Sequence, residues 1–168
     1  KRNLIIMVGA PASGKSYLSN QIKEHNHEQK FHIVSQDQIG NHKKMEKVFR
    51  KCIENKNNII VDNTNPAYKK MPRVTFREFY IKVLKEYEHC EDYTVIAINM
   101  TTSKEIIHQL NHFRAQYYKR PFINRVVYNV FNKYYEPPTE MEGFDMVLNY
   151  ESKPTFSGKA QQMFEYYY

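Results

Sequence analysis

The chain has 168 residues, of which 41% are hydrophobic, and this length suits one domain with a sizeable core of its own. No apolar run approaches the roughly 20 residues that a membrane-spanning helix needs, and the N-terminus lacks the layout of a secretory signal, so we expect neither a membrane nor a secreted protein. The net charge of +7 is compatible with a polyanionic partner such as nucleic acid, although many basic proteins bind none.

Short β-type runs alternate with longer amphipathic stretches along the chain, which is the pattern of βαβ units around a parallel sheet. We predict strands at residues 4–8, 32–35, 58–62, 93–99 and 145–150. Helices are predicted over residues 15–28, 41–55, about 67–87, 103–118 and near 123–134. The predicted fold class is therefore α/β, with a parallel sheet of about five strands flanked by helices.

The segment Gly-Ala-Pro-Ala-Ser-Gly-Lys-Ser at residues 9–16 follows the first predicted strand and matches the phosphate-binding loop pattern in full. Gly9 and Gly14 are expected to let the backbone wrap closely around a polyphosphate, with its N–H groups pointing inward. Lys15 would supply charge to the β- and γ-phosphates, and Ser16 would offer a hydroxyl to Mg²⁺ where a helix begins. The segment predicts binding of a nucleoside triphosphate with magnesium; a Gly-rich strand-to-helix turn without a ligand is the alternative.

Polar residues follow the second and third predicted strands, at the sheet edge where ligands bind in open parallel sheets. Asp37, after the second strand, is our candidate general base, because a carboxylate there can accept the proton of an attacking hydroxyl. The alternative is a helix N-cap for the segment that starts near Gly40 or Asn41. Asp62 follows an Ile-Ile-Val run, as a Walker B carboxylate would, and could orient magnesium through water; a turn-forming Asp is the alternative.

Three arginines, Arg114, Arg120 and Arg125, lie between the fourth and last predicted strands, where kinases of nucleoside monophosphates place a closing lid. A guanidinium brought onto the phosphates would neutralise charge and exclude water, whereas a helix with surface arginines is the alternative. Basic residues interleaved with Tyr and Phe also suit a groove for a phosphodiester chain, unless they form an ordinary solvated surface. They are Lys43, Lys44, Lys69, Lys70, Arg73, Arg77, Lys104, Arg114, Lys119, Arg120 and Arg125.

Cysteine and histidine spacings do not match those of a zinc site. Cys52 and Cys90 lie far apart with no CxxC pattern, so we expect neither a zinc site nor a disulfide framework, and a reducing, intracellular compartment fits. His108 and His112 lack carboxylates at metal-ligand spacing and are interpreted as surface or packing residues.

The order of these segments resembles the kinase half of polynucleotide kinase-phosphatases, from Leu4 to about Tyr150. The Asp-Asn-Thr-Asn-Pro and Glu-Pro-Pro-Thr with Glu-Gly-Phe segments are much more particular to that family than the phosphate-binding loop. The matching segments are residues 9–16, Ser35-Gln36-Asp37 with Gly40, Ile60 to Pro66, Asn111-His112-Phe113-Arg114, and Tyr135 to Thr139 with Glu142-Gly143-Phe144.

This resemblance implies a P-loop kinase domain over residues 1–168, with a helical lid at about 103–135, that transfers the γ-phosphate of ATP, with Mg²⁺, to the 5′-hydroxyl end of DNA or RNA. By position, Asp37 would activate the 5′-hydroxyl, Lys15 would contact phosphate and Arg114 would be the lid arginine. The implied ATP contacts are Gly9, Ala10, Pro11, Ala12, Ser13, Gly14, Lys15, Ser16, Tyr17, Arg114 and Arg120. The implied nucleic-acid contacts are Asp37, Lys44, Asp62, Asn63, Asn65 and Arg73, and those for magnesium are Ser16 and, through water, Asp62.

The chain departs from the family at two positions, since Gln36 and His112 stand where Arg is usual or frequent. Lys43, Lys44 or Arg120 would have to supply the missing charge. No Asp-x-Asp-x-Thr pattern occurs, so a 3′-phosphatase activity does not reside in these residues. Because the chain starts without Met, we expect it to be part of a longer protein with other domains, such as a phosphatase or a ligase. The alternatives are a small-molecule P-loop kinase and an ATP- or nucleic-acid-binding module whose kinase chemistry has decayed.

Overall fold

A parallel sheet forms the centre of the molecule in the computed structural model, which describes residues 1–69 and 76–167. Its strands are β1 (Arg2–Val8), β2 (Phe31–Val34), β3 (Asn58–Val61), β4 (Tyr93–Met100) and β5 (Met146–Tyr150), in the order β2-β3-β1-β4-β5. Every pairing is parallel. The five predicted strands are confirmed, with ends that differ by one or two residues.

The middle strand β1 pairs with β3 and β4, and its register determines where the ends of these strands lie relative to each other. Its residues from Leu4 to Val8 are buried, as expected of a strand covered by helices on both faces. Ile6 is in register with Val61 of β3 and with Ala97 of β4. Because these three strands end at nearly the same level, the segments that follow them meet at one edge.

Seven α-helices occur in the described ranges: α1 (Lys15–His25), α2 (Gln36–Ile39), α3 (His42–Glu54), α4 (Arg77–Lys85), α5 (Lys104–Tyr117), α6 (Arg125–Tyr134) and α7 (Gly158–Tyr166). Short 3₁₀ turns lie at His27–Gln29, Cys90–Asp92 and Glu140–Glu142. The predictions for α1, α3, α5 and α6 are confirmed. Residues 36–39 form a single helical turn, too short to show a periodicity in sequence, and α7 was not predicted either.

The helix predicted over residues 67–87 is wrong in its first part, because α4 begins only at Arg77. The carbonyls of Ala67 and Tyr68 instead accept hydrogen bonds from the backbone N–H groups of Arg77 and Glu78, at 3.1 and 2.9 Å. This loop therefore folds back onto the first turn of α4. Residues 70–75, which the prediction also included, lie outside the described residues.

The helices bury apolar side chains on both faces of the sheet. On one face α3 contributes Met45, Phe49, Cys52 and Ile53, whose spacing forms one apolar stripe, and Phe49 packs edge-to-face on Tyr80 of α4 with ring centroids 5.2 Å apart. On the other face, α1 packs the side chains of residues 18 and 22 against the sheet. Cys52 and Cys90 are free thiols.

The tyrosine-rich end of the chain forms α7, which docks on α5. Phe164 of α7 is buried against Phe113, with ring centroids 5.7 Å apart, and its carbonyl accepts a hydrogen bond from Gln109 Nε2 at 2.9 Å. Within residues 1–69 and 76–167, no helix has the length and apolar character needed to cross a membrane.

Candidate active site

The loop after β1 holds its shape through backbone conformation and close packing. Gly14 has φ +96°, in the left-handed region, and a Cβ at this position would lie 2.8 Å from Ser152 Oγ. A Cβ on Gly9 would lie 2.6 Å from Met100 Cβ. Glycine is therefore required at Gly9 by the packing of the loop on β4, in addition to any requirement that a ligand imposes.

Side chains from distant parts of the chain brace this loop. Thr102 Oγ1 donates a hydrogen bond to the Ser13 carbonyl at 2.8 Å and accepts one from the Ser152 backbone at 3.1 Å. Tyr128 of α6 donates its hydroxyl proton to the Pro11 carbonyl at 3.2 Å. No local motif marks Thr102 or Tyr128, so neither residue was predicted from the sequence.

No side chain of the described residues caps the N-terminus of α1. Its cap is Gly14, which has no side chain to accept from the first turn, and that turn holds no acidic residue. Helices usually satisfy these N–H groups with a capping side chain, and the helix dipole favours negative charge at this end. Lys15 and Ser16 open the helix, and Tyr17 beside them is 70% exposed. This terminus suits a phosphate group.

Lys15 is a buried cation whose hydrogen-bond partners are uncharged. Its Nζ donates to the carbonyls of Gly9 at 2.9 Å and Ala10 at 2.7 Å. Burial lowers the pKa of Lys15 to about 8, and the negative charge of Asp62 offsets only part of that effect. A cation that is desolvated in this way gains from an anion in contact with it, so the loop fits a polyphosphate.

Asp62 lies beside Lys15, at the end of β3. Burial raises the pKa of this carboxyl, while a hydrogen bond with Ser16 and the charge of Lys15 pull it back in part. Within the described residues, no group of three His, Cys, Asp or Glu side chains is arranged to hold a metal ion. A magnesium ion at Ser16 would therefore take further oxygen ligands from bound phosphate and water, which is how this ion is usually held.

Asp37 and Arg114 face the same region from two further elements. Asp37 is exposed in the first turn of α2. Burial lowers the pKa values of both Lys15 and Arg114, and the negative charge of Asp37 offsets a small part of that effect in each. Asn41 caps α3 by accepting from Lys44 N at 3.0 Å, so the alternative interpretation of Asp37 as that cap is wrong. Arg114 is half-buried on α5, and burial together with the nearby charge of Arg120 lowers its pKa.

The Asp-Asn-Thr-Asn-Pro loop joins the elements of the site. Asn63 Oδ1 accepts from the Gln36 backbone at 2.9 Å and its Nδ2 donates to Tyr80 at 3.2 Å, which fixes the helix of Asp37 next to this loop. Asn65 is buried in the left-handed region at φ +42°, and its Nδ2 donates to the Met7 carbonyl at 2.8 Å. Asn65 thus supports the loop from inside.

A buried ion pair clamps that loop from behind. Arg77 is fully buried and binds Glu142 through two hydrogen bonds of 2.8 Å, while its third nitrogen donates to the Asn65 carbonyl at 2.9 Å. The prediction that Arg77 belongs to a basic groove was therefore wrong, because its guanidinium is buried and paired with Glu142. The Glu-Gly-Phe segment gains a physical role: Glu142 holds Arg77, and Phe144 joins the core.

Three other residues that the sequence singled out, Lys44, Arg120 and His112, are described by the structure. Lys44 is exposed in the first turn of α3, and Arg120 is exposed beyond the end of α5. His112 packs in a stack on Tyr167 with ring centroids 5.1 Å apart, and it lies two residues before Arg114, so it projects from a different side of α5. Arg73 lies outside the described residues.

Comparison with known proteins identifies relatives of this chain, although no protein-family model matches it. A bifunctional polynucleotide phosphatase/kinase of Schizosaccharomyces pombe is 26% identical over 147 residues, which are 87% of this chain and 33% of that protein. A protein of Acanthamoeba polyphaga mimivirus is 28% identical over 151 residues, which are 88% of this chain and 32% of that protein. The chain spans about a third of the length of these curated relatives.

The fold is also found in solved structures. The crystal structure of a fungal RNA kinase superposes on 98% of this chain with a TM-score of 0.63. The sequence identity is 14%, so this similarity shows the fold alone. These comparisons confirm the predicted P-loop kinase fold and the predicted resemblance to polynucleotide kinase-phosphatases.

Proposed function

We propose that this chain is a polynucleotide 5′-hydroxyl kinase, which transfers the γ-phosphate of ATP to the 5′-hydroxyl end of DNA or RNA. The observation that carries the proposal is the convergence of Lys15, Asp37, Asp62 and Arg114, from four different elements, on one edge of the sheet. Two cations and two carboxylates grouped beside a phosphate-binding loop suit phosphoryl transfer. That reaction depends mainly on positioning and charge stabilisation.

In the proposed reaction, Asp37 accepts the proton of the 5′-hydroxyl. The hydroxyl oxygen forms a bond to the γ-phosphorus while the bond from that phosphorus to the bridging oxygen of the departing ADP breaks. Exposure of Asp37 supports this role, because an acceptor strand must reach it from solvent. The link from Gln36 to Asn63 holds the base against the loop of Asp62.

The residues of the loop and of α5 would hold the nucleotide. The loop backbone of residues 9–16 and Lys15 would bind the phosphates, and Ser16 would ligate magnesium, with Asp62 acting on it through water. Magnesium would supply charge neutralisation at the phosphates. Arg114 and Arg120 would neutralise charge on the transferring group. The hydrogen bond from Tyr128 to the Pro11 carbonyl supports a lid at about residues 103–135 that contacts the loop.

The acceptor would bind on the side of Asp37 and the Asp-Asn-Thr-Asn-Pro loop. Lys44, Asn63 and Arg73 remain our proposed contacts there, and Asn65 and Asp62 would support them from within. A net charge of +7 favours a polyanionic acceptor over a small neutral one. Because the relatives are about three times as long as this chain, we also propose that it works beside other domains, such as a phosphatase.

The test is transfer of labelled γ-phosphate from ATP and magnesium to matched 5′-hydroxyl DNA and RNA oligonucleotides. The isosteric variant Asp37→Asn should lose a factor on the order of 10² or more in turnover while it still binds ATP. Asp92→Asn is the matched control, since Asp92 is an exposed carboxylate at the start of β4, at the opposite edge of the sheet. Transfer that survives Asp37→Asn would remove Asp37 from its role.

Absence of transfer to every oligonucleotide, with ATP still bound, would refute the kinase proposal for nucleic acid. It would leave the two alternatives stated above, a small-molecule kinase or a decayed binding module. A screen of hydroxylated metabolites for ADP release separates these two outcomes.

A further inference from the structure

A polar cleft opens between the loop after β3 and the end of α6. Its volume is about 620 Å³, and we name it the lysine-tyrosine cleft. Its wall on one side belongs to the loop that carries Asp62 and Asn63, and on the other to the helix that carries Tyr128. The lining residues are Ala67, Tyr68, Lys69, Lys133, Tyr134, Tyr135 and Glu136.

Backbone hydrogen bonds hold both walls in place. The Glu136 N–H donates to the Pro66 carbonyl at 2.8 Å, which ties the two walls together. On the loop side, the carbonyls of Ala67 and Tyr68 are bound by the first turn of α4. Tyr135 forms a fixed floor, because its hydroxyl donates to Asn99 Oδ1 at 2.9 Å and its ring stacks on Phe131. The cleft is thus a built concavity.

The cleft combines free cations with aromatic rings. Lys69 and Lys133 are exposed, and neither forms an ion pair with a carboxylate of the described residues. Tyr68 and Tyr134 are half-buried, and Lys133 Nζ lies 5.3 Å from the centroid of the Tyr134 ring. Glu136 is the one carboxylate of the lining, and it can accept from an exocyclic amine of a base. Cations with aromatic faces in a groove are typical of sites for single-stranded nucleic acid.

The position of the cleft connects it with the candidate active site. Asn63, which contacts the helix of Asp37, lies in the same loop as Ala67 and Tyr68. Along α6, Tyr128 contacts the phosphate-binding loop, and Tyr134 is six residues further on, about 9 Å along the helix axis. A strand whose 5′-hydroxyl lies at Asp37 would pass from there along this loop into the cleft.

We infer that the lysine-tyrosine cleft is a second subsite for the acceptor, which binds an unpaired nucleotide downstream of the reacting 5′ end. Tyr134 stacks on the base, and Lys133 and Lys69 contact the phosphates beside it. This inference rests on the proposed function. A paired base would hide its face from Tyr134, so the subsite favours an acceptor that is single-stranded at this point.

The experiment separates binding from transfer. Fluorescence anisotropy measures the Kd of a labelled single-stranded oligonucleotide of about ten residues, and steady-state kinetics compare it with a nucleoside 3′-monophosphate, which is too short to reach the cleft. Tyr134→Leu should weaken oligonucleotide binding about tenfold, whereas Tyr134→Phe, which keeps the ring, should not. Lys133→Ala should lower the magnitude of the salt slope of binding by about 0.7. KM for the nucleoside 3′-monophosphate should stay unchanged in all three variants.

Lys23→Ala is the matched control, because Lys23 is an exposed lysine in the last turn of α1 and does not line the cleft. If Tyr134→Leu and Lys133→Ala bind the oligonucleotide as Lys23→Ala does while transfer persists, the subsite is overturned and the proposed kinase stands. If the wild-type protein transfers to no acceptor, the kinase fails, and loss of binding in Tyr134→Leu but not in Tyr134→Phe would still support the cleft as a nucleic-acid site.

Discussion

Burial of the charged Lys15 side chain destabilises the folded protein, and a bound anion would offset this effect. Replacing Lys15 with methionine should therefore make the protein more stable. Methionine keeps a long unbranched side chain but carries no charge to desolvate. The pKa of Lys15 falls from 10.5 to about 8 on folding, which corresponds to about 3 kcal/mol against the charged form. The carbonyls of Gly9 and Ala10 lose their donor in the variant, so the net gain should be about 1 to 2 kcal/mol.

The pH dependence isolates this effect from other changes. Between pH values of about 8 and 10.5 the unfolded chain binds a proton at Lys15 that the folded chain has lost, so the stability of the wild-type protein rises with pH there. The advantage of Lys15→Met should therefore shrink by about 1 kcal/mol between about pH 7 and about pH 9. Urea unfolding without nucleotide at both pH values measures it, with the exposed Lys23→Met as control. An advantage that is equal at the two pH values would refute the burial of a charged Lys15.

Three more predictions concern the site and its support. ATP affinity should be nearly full at about pH 7, about half of that at about pH 8 and about tenfold weaker at about pH 9, because bound phosphate requires the protonated form of Lys15. Titration calorimetry measures this, and a flat profile would contradict it. Arg77→Ala leaves Glu142 buried without its partner and should cost about 3 to 5 kcal/mol in urea unfolding, whereas a loss below about 1 kcal/mol would show that the clamp is not structural. Arg114→Ala should slow transfer without much change in oligonucleotide affinity; loss of binding alone would instead assign Arg114 to the acceptor.

The strands and the loop after β1 were predictable because their signals are local. An apolar run such as residues 4–8 can be satisfied only by burial, and the residue pattern of the loop that follows it can be recognised without the rest of the fold. The start of α4 was not predictable in this way. In the loop before α4, the carbonyls of Ala67 and Tyr68 accept hydrogen bonds from the N–H groups of Arg77 and Glu78. The composition of this segment does not distinguish such a loop from a longer helix.

Charge was the least predictable property of the individual residues. Arg77 and Arg114 read alike in sequence as basic residues of helix-forming stretches, yet Arg77 is fully buried against Glu142, while Arg114 faces the cluster of Lys15 and Asp37. The partner of Arg77 lies 65 residues away along the chain. Only the position of both residues in the fold decides whether such a charge supports the structure or is available to a ligand.

The sequence by itself determined the parallel sheet, the phosphate-binding loop and the identity of the candidate residues Asp37 and Asp62, since these depend on short patterns of side chains and on the edge to which parallel strands deliver them. Tertiary structure alone decided the burial that lowers the pKa of Lys15, the bracing of the loop by Thr102 and Tyr128, and the cleft beside Tyr134. Desolvation and concavity depend on atoms from many segments at once, so no local pattern encodes them.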